Sequence, residues 1–188
     1  MAVVQEAPNA AKIAKGKETI KVTVCLSLSG LAEGGMEVYQ EFEKQLGELT
    51  ENVELEEKQH CSLGQVGCRG YCSRDVLVDL YIGEERVTYE KVKPAMVKDI
   101  INSHIVGGKP YAKAASKKDY YELINKQQRV ALEFGGRIDP ENIEEYIDVG
   151  GYSSLKHVLQ EYKPKEVIEE IKKSGLRGKG GGGFLTGL

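Results

Sequence analysis

The chain has 188 residues, of which 40% are hydrophobic and 29% charged, as expected for one medium globular domain or two small ones. Its net charge of -3 argues against nucleic acid as the main partner. No apolar run approaches the ~18 residues of a membrane span. The start, Met1-Ala-Val-Val-Gln-Glu6, lacks the apolar stretch of a secretory signal, so a cytoplasmic location with reduced thiols is expected.

Residues 1–18 are small, polar and lysine-rich and read as a loose arm. Thr19-Ile-Lys-Val-Thr-Val-Cys25 alternates as a strand does. Met36, Tyr39, Phe42, Leu46 and Leu49 recur at helical spacing and predict an amphipathic helix over 33–49. A second strand is expected over 52–57, then a Gly- and Cys-rich loop over 60–74. Val76–Ile82 and Val87–Tyr89 read as strands joined by a turn at Gly83. Pro94 opens a short helix reaching His104. The resulting β-α-β-β-β-α order over residues 19–110 is an α+β domain. Residues 111–136 read as a polar linker with one short helix near 119–126. A second module spans 137–188, with Asp139 as a helix N-cap and helices starting at Ser153 and Pro164. The last of these carries acids early and lysines late, and stops at Gly175.

The four cysteines are Cys25, Cys61, Cys68 and Cys72. Cys68-Arg-Gly-Tyr-Cys72 is a C-x3-C pair on a glycine-containing loop, able to hold one iron while loop amides bond the sulfurs. Spacing alone leaves incidental thiols open. The wider arrangement of Cys25, Gly35-Met-Glu-Val-Tyr39 and Gly67-Cys-Arg-Gly-Tyr-Cys72 resembles the thioredoxin-like [2Fe–2S] ferredoxin domain. That domain occurs in NADH dehydrogenases and at the front of NADH-binding subunits of bifurcating hydrogenases and related formate dehydrogenases. The family places C-x4-C in the first loop and C-x3-C in the second. Cys25, Cys68 and Cys72 match three ligand positions, and Gly30 stands at the fourth. The resemblance implies a cluster completed by Cys61 or by the hydroxyl of Ser27 or Ser29. The other readings are a cluster-free thioredoxin-like docking module, a zinc site, and a redox disulfide.

Six of the 22 glycines fall between Gly175 and Gly183. Successive glycines let amides approach a ligand, Arg177 and Lys179 add positive charge for phosphate, and Phe184 offers a flat face to an aromatic ring. The loop lacks the Gly-Lys-Ser/Thr of a Walker motif, and it follows a helix where a Rossmann loop follows a strand. A flexible glycine tail is the plain alternative. Gly175-Leu-Arg-Gly-Lys-Gly-Gly-Gly-Gly-Phe-Leu-Thr-Gly187 resembles the G-L-R-G-R-G-G-A-G-F-P-T-G loop of the NADH- and FMN-binding subunit of respiratory NADH dehydrogenases. It departs at Lys179, Gly182 and Leu185. Gly136–Ile147 and Gly150–Leu155 resemble the same subunit's run-in. By carry-over, Arg177, Gly178, Lys179, Gly180, Gly181, Gly182, Gly183, Phe184, Thr186 and Gly187 are cofactor-binding candidates for FMN and NADH. In that family, further chain completes the flavin pocket and carries a [4Fe–4S] cluster, so a fragment or truncated product is expected here.

No catalytic side chain is singled out. His60, His104 and His157 share no ligand spacing, Ser153-Ser154 lacks a nucleophile frame, and the charge run 51–58 reads as a solvated strand edge. Taken together, the resemblances imply a thioredoxin-like ferredoxin domain followed by the helical start of an FMN/NADH-binding flavoprotein domain. They further imply an electron-transfer component of an NADH-oxidising complex whose partners are other subunits of hydrogenase, formate dehydrogenase or NADH dehydrogenase type. In such a complex hydride passes from NADH to FMN, and single electrons pass on to iron–sulfur clusters. A thiol–disulfide oxidoreductase ranks last, because C-x-x-C is missing after the first strand.

Overall fold

The computed structural model describes residues 19–51 and 61–188, without the side chains of Thr50 and Glu51. The expected arm at 1–18, the strand at 52–57, His60 and the charge run beyond residue 51 therefore lie outside the described residues. The chain divides into two compact units, Met1–Glu141 and Asn142–Leu188.

In the first unit a four-stranded sheet runs in the order β2-β1-β3-β4. Its strands are β1 (Ile20–Cys25), β2 (Cys61–Val66), β3 (Val78–Ile82) and β4 (Glu85–Tyr89). β1 pairs with β2 in parallel and with β3 antiparallel, and β3 pairs antiparallel with β4. β1 is central, so Val22 and Val24 alternate into the core and Thr23 is buried as well. The parallel β1–β2 pair needs a crossover, which begins with α1 (Leu28–Ala32) and α2 (Gly35–Glu51). α2 is amphipathic: Phe42, Leu46 and Leu49 are buried against the sheet's apolar side chains as their spacing predicts and Tyr39 packs there partly buried, while Val38 takes the inward place and Met36, expected on this face, is exposed. α3 (Pro94–Ile100) adds Val97 and Ile100 to the same core and runs on into a wider π-type turn, Ile101–Val106. That turn buries His104, whose Nδ1 lies 2.8 Å from Tyr89 Oη. Burial lowers the His104 pKa to about 4.

Two readings of this unit need correction. The stretch expected to be loop from residue 60 contains β2, an edge strand. Cys-Ser-Leu-Gly-Gln-Val has little β-branched character, and its strand conformation comes from pairing with β1. Residues 111–136 are not a separate linker, since they fall within the first unit. Glu90 N donates to Ala114 O, Ser116 N donates to Thr88 O, and α4 (Lys118–Asn125) buries Tyr120.

The second unit holds α5 (Ile143–Asp148), α6 (Ser153–Glu161) and α7 (Pro164–Ser174), then the glycine-rich loop. Asp139 is not the N-cap of α5. Asn142 is, accepting from Glu144 N and Glu145 N, while Asp139 Oδ1 closes a turn by accepting from Glu141 N. α7 begins at Pro164 and ends at Gly175, whose φ of 64° is the left-handed conformation that glycine tolerates. No residue of 142–188 is buried.

Candidate metal centre

Parallel pairing of β1 and β2 brings their C-terminal ends to one edge of the sheet, with Cys25 opposite Val66. The loops that follow, 26–34 and 67–77, therefore leave side by side. Leu26 N donates to Val66 O, and the Cys25 thiol lies 3.8 Å from Gly67 O. Ser29 Oγ reaches Cys72 O at 3.4 Å. Strand ends of this kind are a recurrent place for ligand sites in α/β sheets.

Two donor pairs stand at this edge. Cys68 Sγ and Cys72 Sγ are 3.5 Å apart, and both residues are exposed. Cys25 Sγ and Ser27 Oγ are 3.4 Å apart, with Cys25 buried. Two thiolates ~2.3 Å from one tetrahedral metal stand about 3.8 Å apart, so the Cys68–Cys72 spacing suits a shared metal. Gly70 N donates to Cys68 Sγ at 3.2 Å, an amide-to-sulfur bond within the loop. Burial pushes the Cys25 thiol up in pKa, and the neighbouring Cys68 does the same to Cys72. Both would hold a proton more firmly than a free thiol unless a metal displaced it. Among the described residues no three His, Cys, Asp or Glu side chains converge on one point, so the donors form pairs.

Cys61 is not part of this arrangement. It opens β2 opposite Ile20, five residues along the strand from Val66, about 16 Å away. There it packs on the hydrophobic core, and burial raises its pKa. The expectation that Cys61 completes the site gives way to strand register, which sequence spacing cannot show. Gly30 also has a structural reason. A Cβ at this position would overlap the backbone oxygen of Cys25, so neither alanine nor cysteine fits without moving the chain.

Three residues that sequence reasoning missed shape the site. Arg69, inside the C-x3-C loop, turns inward to form a buried ion pair with Asp79 on β3, which also accepts from Thr88 Oγ1 at 2.6 Å. Burial works against the Arg69 charge, and the Asp79 carboxylate more than offsets it, so its pKa is raised. Asp75 is buried behind the same loop, with neither oxygen hydrogen-bonded. An arginine between two cysteines reads as a surface charge until the fold shows where it points.

The family model for the thioredoxin-like [2Fe–2S] ferredoxin matches residues 12–104, the segment that contains both donor pairs. The chain carries a thioredoxin-like [2Fe–2S] ferredoxin domain. The thioredoxin-like [2Fe–2S] ferredoxin of Aquifex aeolicus has a solved structure that is 24% identical with a TM-score of 0.46, covering 54% of this chain and 99% of that one. Curated relatives are oxidoreductase subunits. The NADP-reducing hydrogenase subunit HndC of Solidesulfovibrio fructosivorans is 51% identical over 63 residues, 34% of this chain and 13% of that protein. An NADH-quinone oxidoreductase subunit of Buchnera aphidicola subsp. Acyrthosiphon pisum (strain APS) is 56% identical over 46 residues, 24% of this chain and 10% of that protein. The chain thus spans about a tenth of the length of these relatives.

The glycine-rich loop is a small hairpin in the second unit. Arg177 bridges Leu185, Gly178 N donates to Phe184 O at 2.8 Å, and Thr186 N donates to Leu176 O at 2.8 Å. Arg177 Nη1 donates to Gly183 O at 3.0 Å, so part of its guanidinium braces the turn. Among the described residues the amides of Gly180, Gly181 and Gly182 make no backbone hydrogen bond, and Gly181 has φ 107°. Phe184 is 83% exposed, with its ring over Gly182. The tip joins bare amides, Lys179 and an exposed aromatic face, which suits a phosphate-bearing aromatic ligand.

Proposed function

We propose that this chain is an electron-transfer part of an NADH-oxidising redox complex and that its ferredoxin domain holds a [2Fe–2S] cluster. The observation that carries this reading is the two donor pairs at the shared end of β1 and β2. Cys68 and Cys72 supply one pair, and Cys25 with the Ser27 hydroxyl supplies the other. A [2Fe–2S] cluster takes two protein donors at each iron and carries single electrons. Ser27 Oγ already accepts from Gly30 N, a bond that strengthens if the oxygen becomes anionic. Gly30 itself offers no ligand and lets α1 start close against the Cys25 carbonyl.

The hairpin at 175–188 is the proposed contact for FMN and NADH. The bare amides of Gly180 to Gly182 and Lys179 face phosphate, and Phe184 stacks on a ring. Flavin, when bound, converts hydride transfer into one-electron steps. The relative named as an NADH-quinone oxidoreductase subunit supports a nicotinamide donor, the one named as an NADP-reducing hydrogenase subunit has the nicotinamide as acceptor, and both support neighbouring redox subunits. A [4Fe–4S] cluster and the rest of a flavin pocket belong to the same proposal for the whole protein.

The test is anaerobic purification followed by iron, acid-labile sulfide and EPR after dithionite. About two irons and two sulfides per chain are expected, with a signal lost in Cys68→Ala and weakened in Ser27→Ala. Absence of iron and sulfide after reconstitution overturns the cluster and favours a docking module. The hairpin stands open to solvent, so this chain alone is expected to retain less than one FMN, and stoichiometric flavin overturns that point.

A further inference from the structure

The segment that follows α4 lies along the cysteine loop. Arg129 Nη2 donates to Arg69 O at 2.6 Å, and Arg129 Nη1 donates to Gly135 O at 3.2 Å. One guanidinium thus ties the C-x3-C loop to a turn 60 residues later in the chain. The contact continues on both sides. A Cβ at Gly135 would come within 2.8 Å of Cys68 O, and one at Gly136 would overlap the Arg69 side chain. Gly136 has φ 73°, so both its conformation and its surroundings call for glycine. Further along, Gln65 Nε2 at the end of β2 donates to Asp139 Oδ1 at 3.2 Å and to Glu141 Oε2 at 3.3 Å.

We infer that residues 127–141 form a strap that holds the Cys68–Cys72 loop in place, with Arg129 as its positioning residue. Cys68, Gly70, Cys72 and Ser73 are all exposed, and the later part of the loop is held elsewhere, by Tyr71 against Tyr120, by Ser29 Oγ on Cys72 O and by the Arg74–Glu90 pair. Around Arg69 the loop is held from inside by the Arg69–Asp79 pair, and from outside by Arg129 on the Arg69 carbonyl. Residue 69 is therefore gripped through both its side chain and its backbone. The two thiols flank it, so this grip sets their separation and keeps Gly70 N on Cys68 Sγ. Donor sites are tuned by the groups that orient their ligands. The strap also runs directly into α5, so the chain connecting the two units is the same chain that touches the cysteine loop.

The strap stands on contacts of the polypeptide alone, while its effect on a cluster rests on the proposed function. The experiment keeps these apart. Amide hydrogen exchange is followed over residues 67–75 in the full chain without metal, for wild type, Arg129→Ala and Arg129→Gln. Loss of a charge-assisted bond is expected to speed exchange at Gly70, Arg74 and Asp75 by about tenfold or more in Arg129→Ala. β1 and β3 are expected to stay unchanged. Arg129→Gln retains one amide donor and is expected to fall between. Unchanged loop exchange in Arg129→Ala overturns the strap. So does an equal rise across the sheet in both variants, which would make Arg129 a general part of the core. On reconstituted protein, Arg129→Ala is expected to change the EPR line shape and shift the midpoint potential at equal iron content. A wild type without iron or sulfide would refute the cluster and leave the exchange result standing.

Discussion

The two units of this chain hold their sites in opposite ways. In residues 19–141 the cysteine edge rests on a filled core: Val22, Val24, Phe42, Leu80 and Tyr89 are fully buried beneath it. In residues 142–188 nothing is buried, and Ile147, Leu155, Leu159, Ile168 and Phe184 are exposed. The glycine hairpin keeps its shape by local means, through two cross-hairpin backbone bonds and the Arg177 brace. The cysteine site keeps its shape through strand pairing, a buried ion pair and a strap from far along the chain. A motif confined to a short stretch can carry its geometry with it, whereas donors spread from residue 25 to residue 72 need a fold to bring them together.

Three perturbations test this contrast. The largest effect is expected from Phe42→Ala, where truncating a fully buried ring costs about 3–5 kcal/mol. Leu159→Ala on the exposed face of α6 is expected to change stability by less than ~0.5 kcal/mol. Urea unfolding of both variants checks the pair, and comparable losses would erase the distinction between the units. Second comes pH. His104 has its pKa lowered to about 4 from 6.5, so the unfolded chain binds the proton more readily. Stability from this group is therefore complete above pH 6.5 and falls as pH drops towards 4, by roughly 1.4 kcal/mol per unit. Unfolding midpoints measured between pH 7 and pH 4 should show this in the first unit, and the slope should flatten in His104→Phe. Third is Gly30→Ala, expected to cost about 1–3 kcal/mol by pressing a methyl group on the Cys25 carbonyl. A neutral Gly30→Ala in thermal unfolding would show that α1 moves freely and that a thiol could stand there.

Much of the fold was legible in the sequence. Alternation marked β1, and the spacing of Phe42, Leu46 and Leu49 marked α2. Pro164 and Gly175 bounded α7 because proline and glycine act on their own backbone. β2 was not legible: Cys61–Val66 takes strand conformation from its partner. Asp139 resembled a cap because Pro140 follows it, yet the helix is capped further along the chain by Asn142, whose side chain meets the free amides.

By itself, the sequence determined that this chain carries a C-x3-C pair, a lone Cys25 and a glycine loop with a basic and an aromatic residue, because these are local patterns of residue type. Tertiary structure decided which of them work together. The parallel register of β1 and β2 set Cys25 and Ser27 beside the Cys68–Cys72 loop and left Cys61 at the far end. It also turned Arg69 inward onto Asp79 and laid Arg129 over the loop from 60 residues away. Such contacts depend on strand register and burial, which arise only when distant parts of the chain pack against one another.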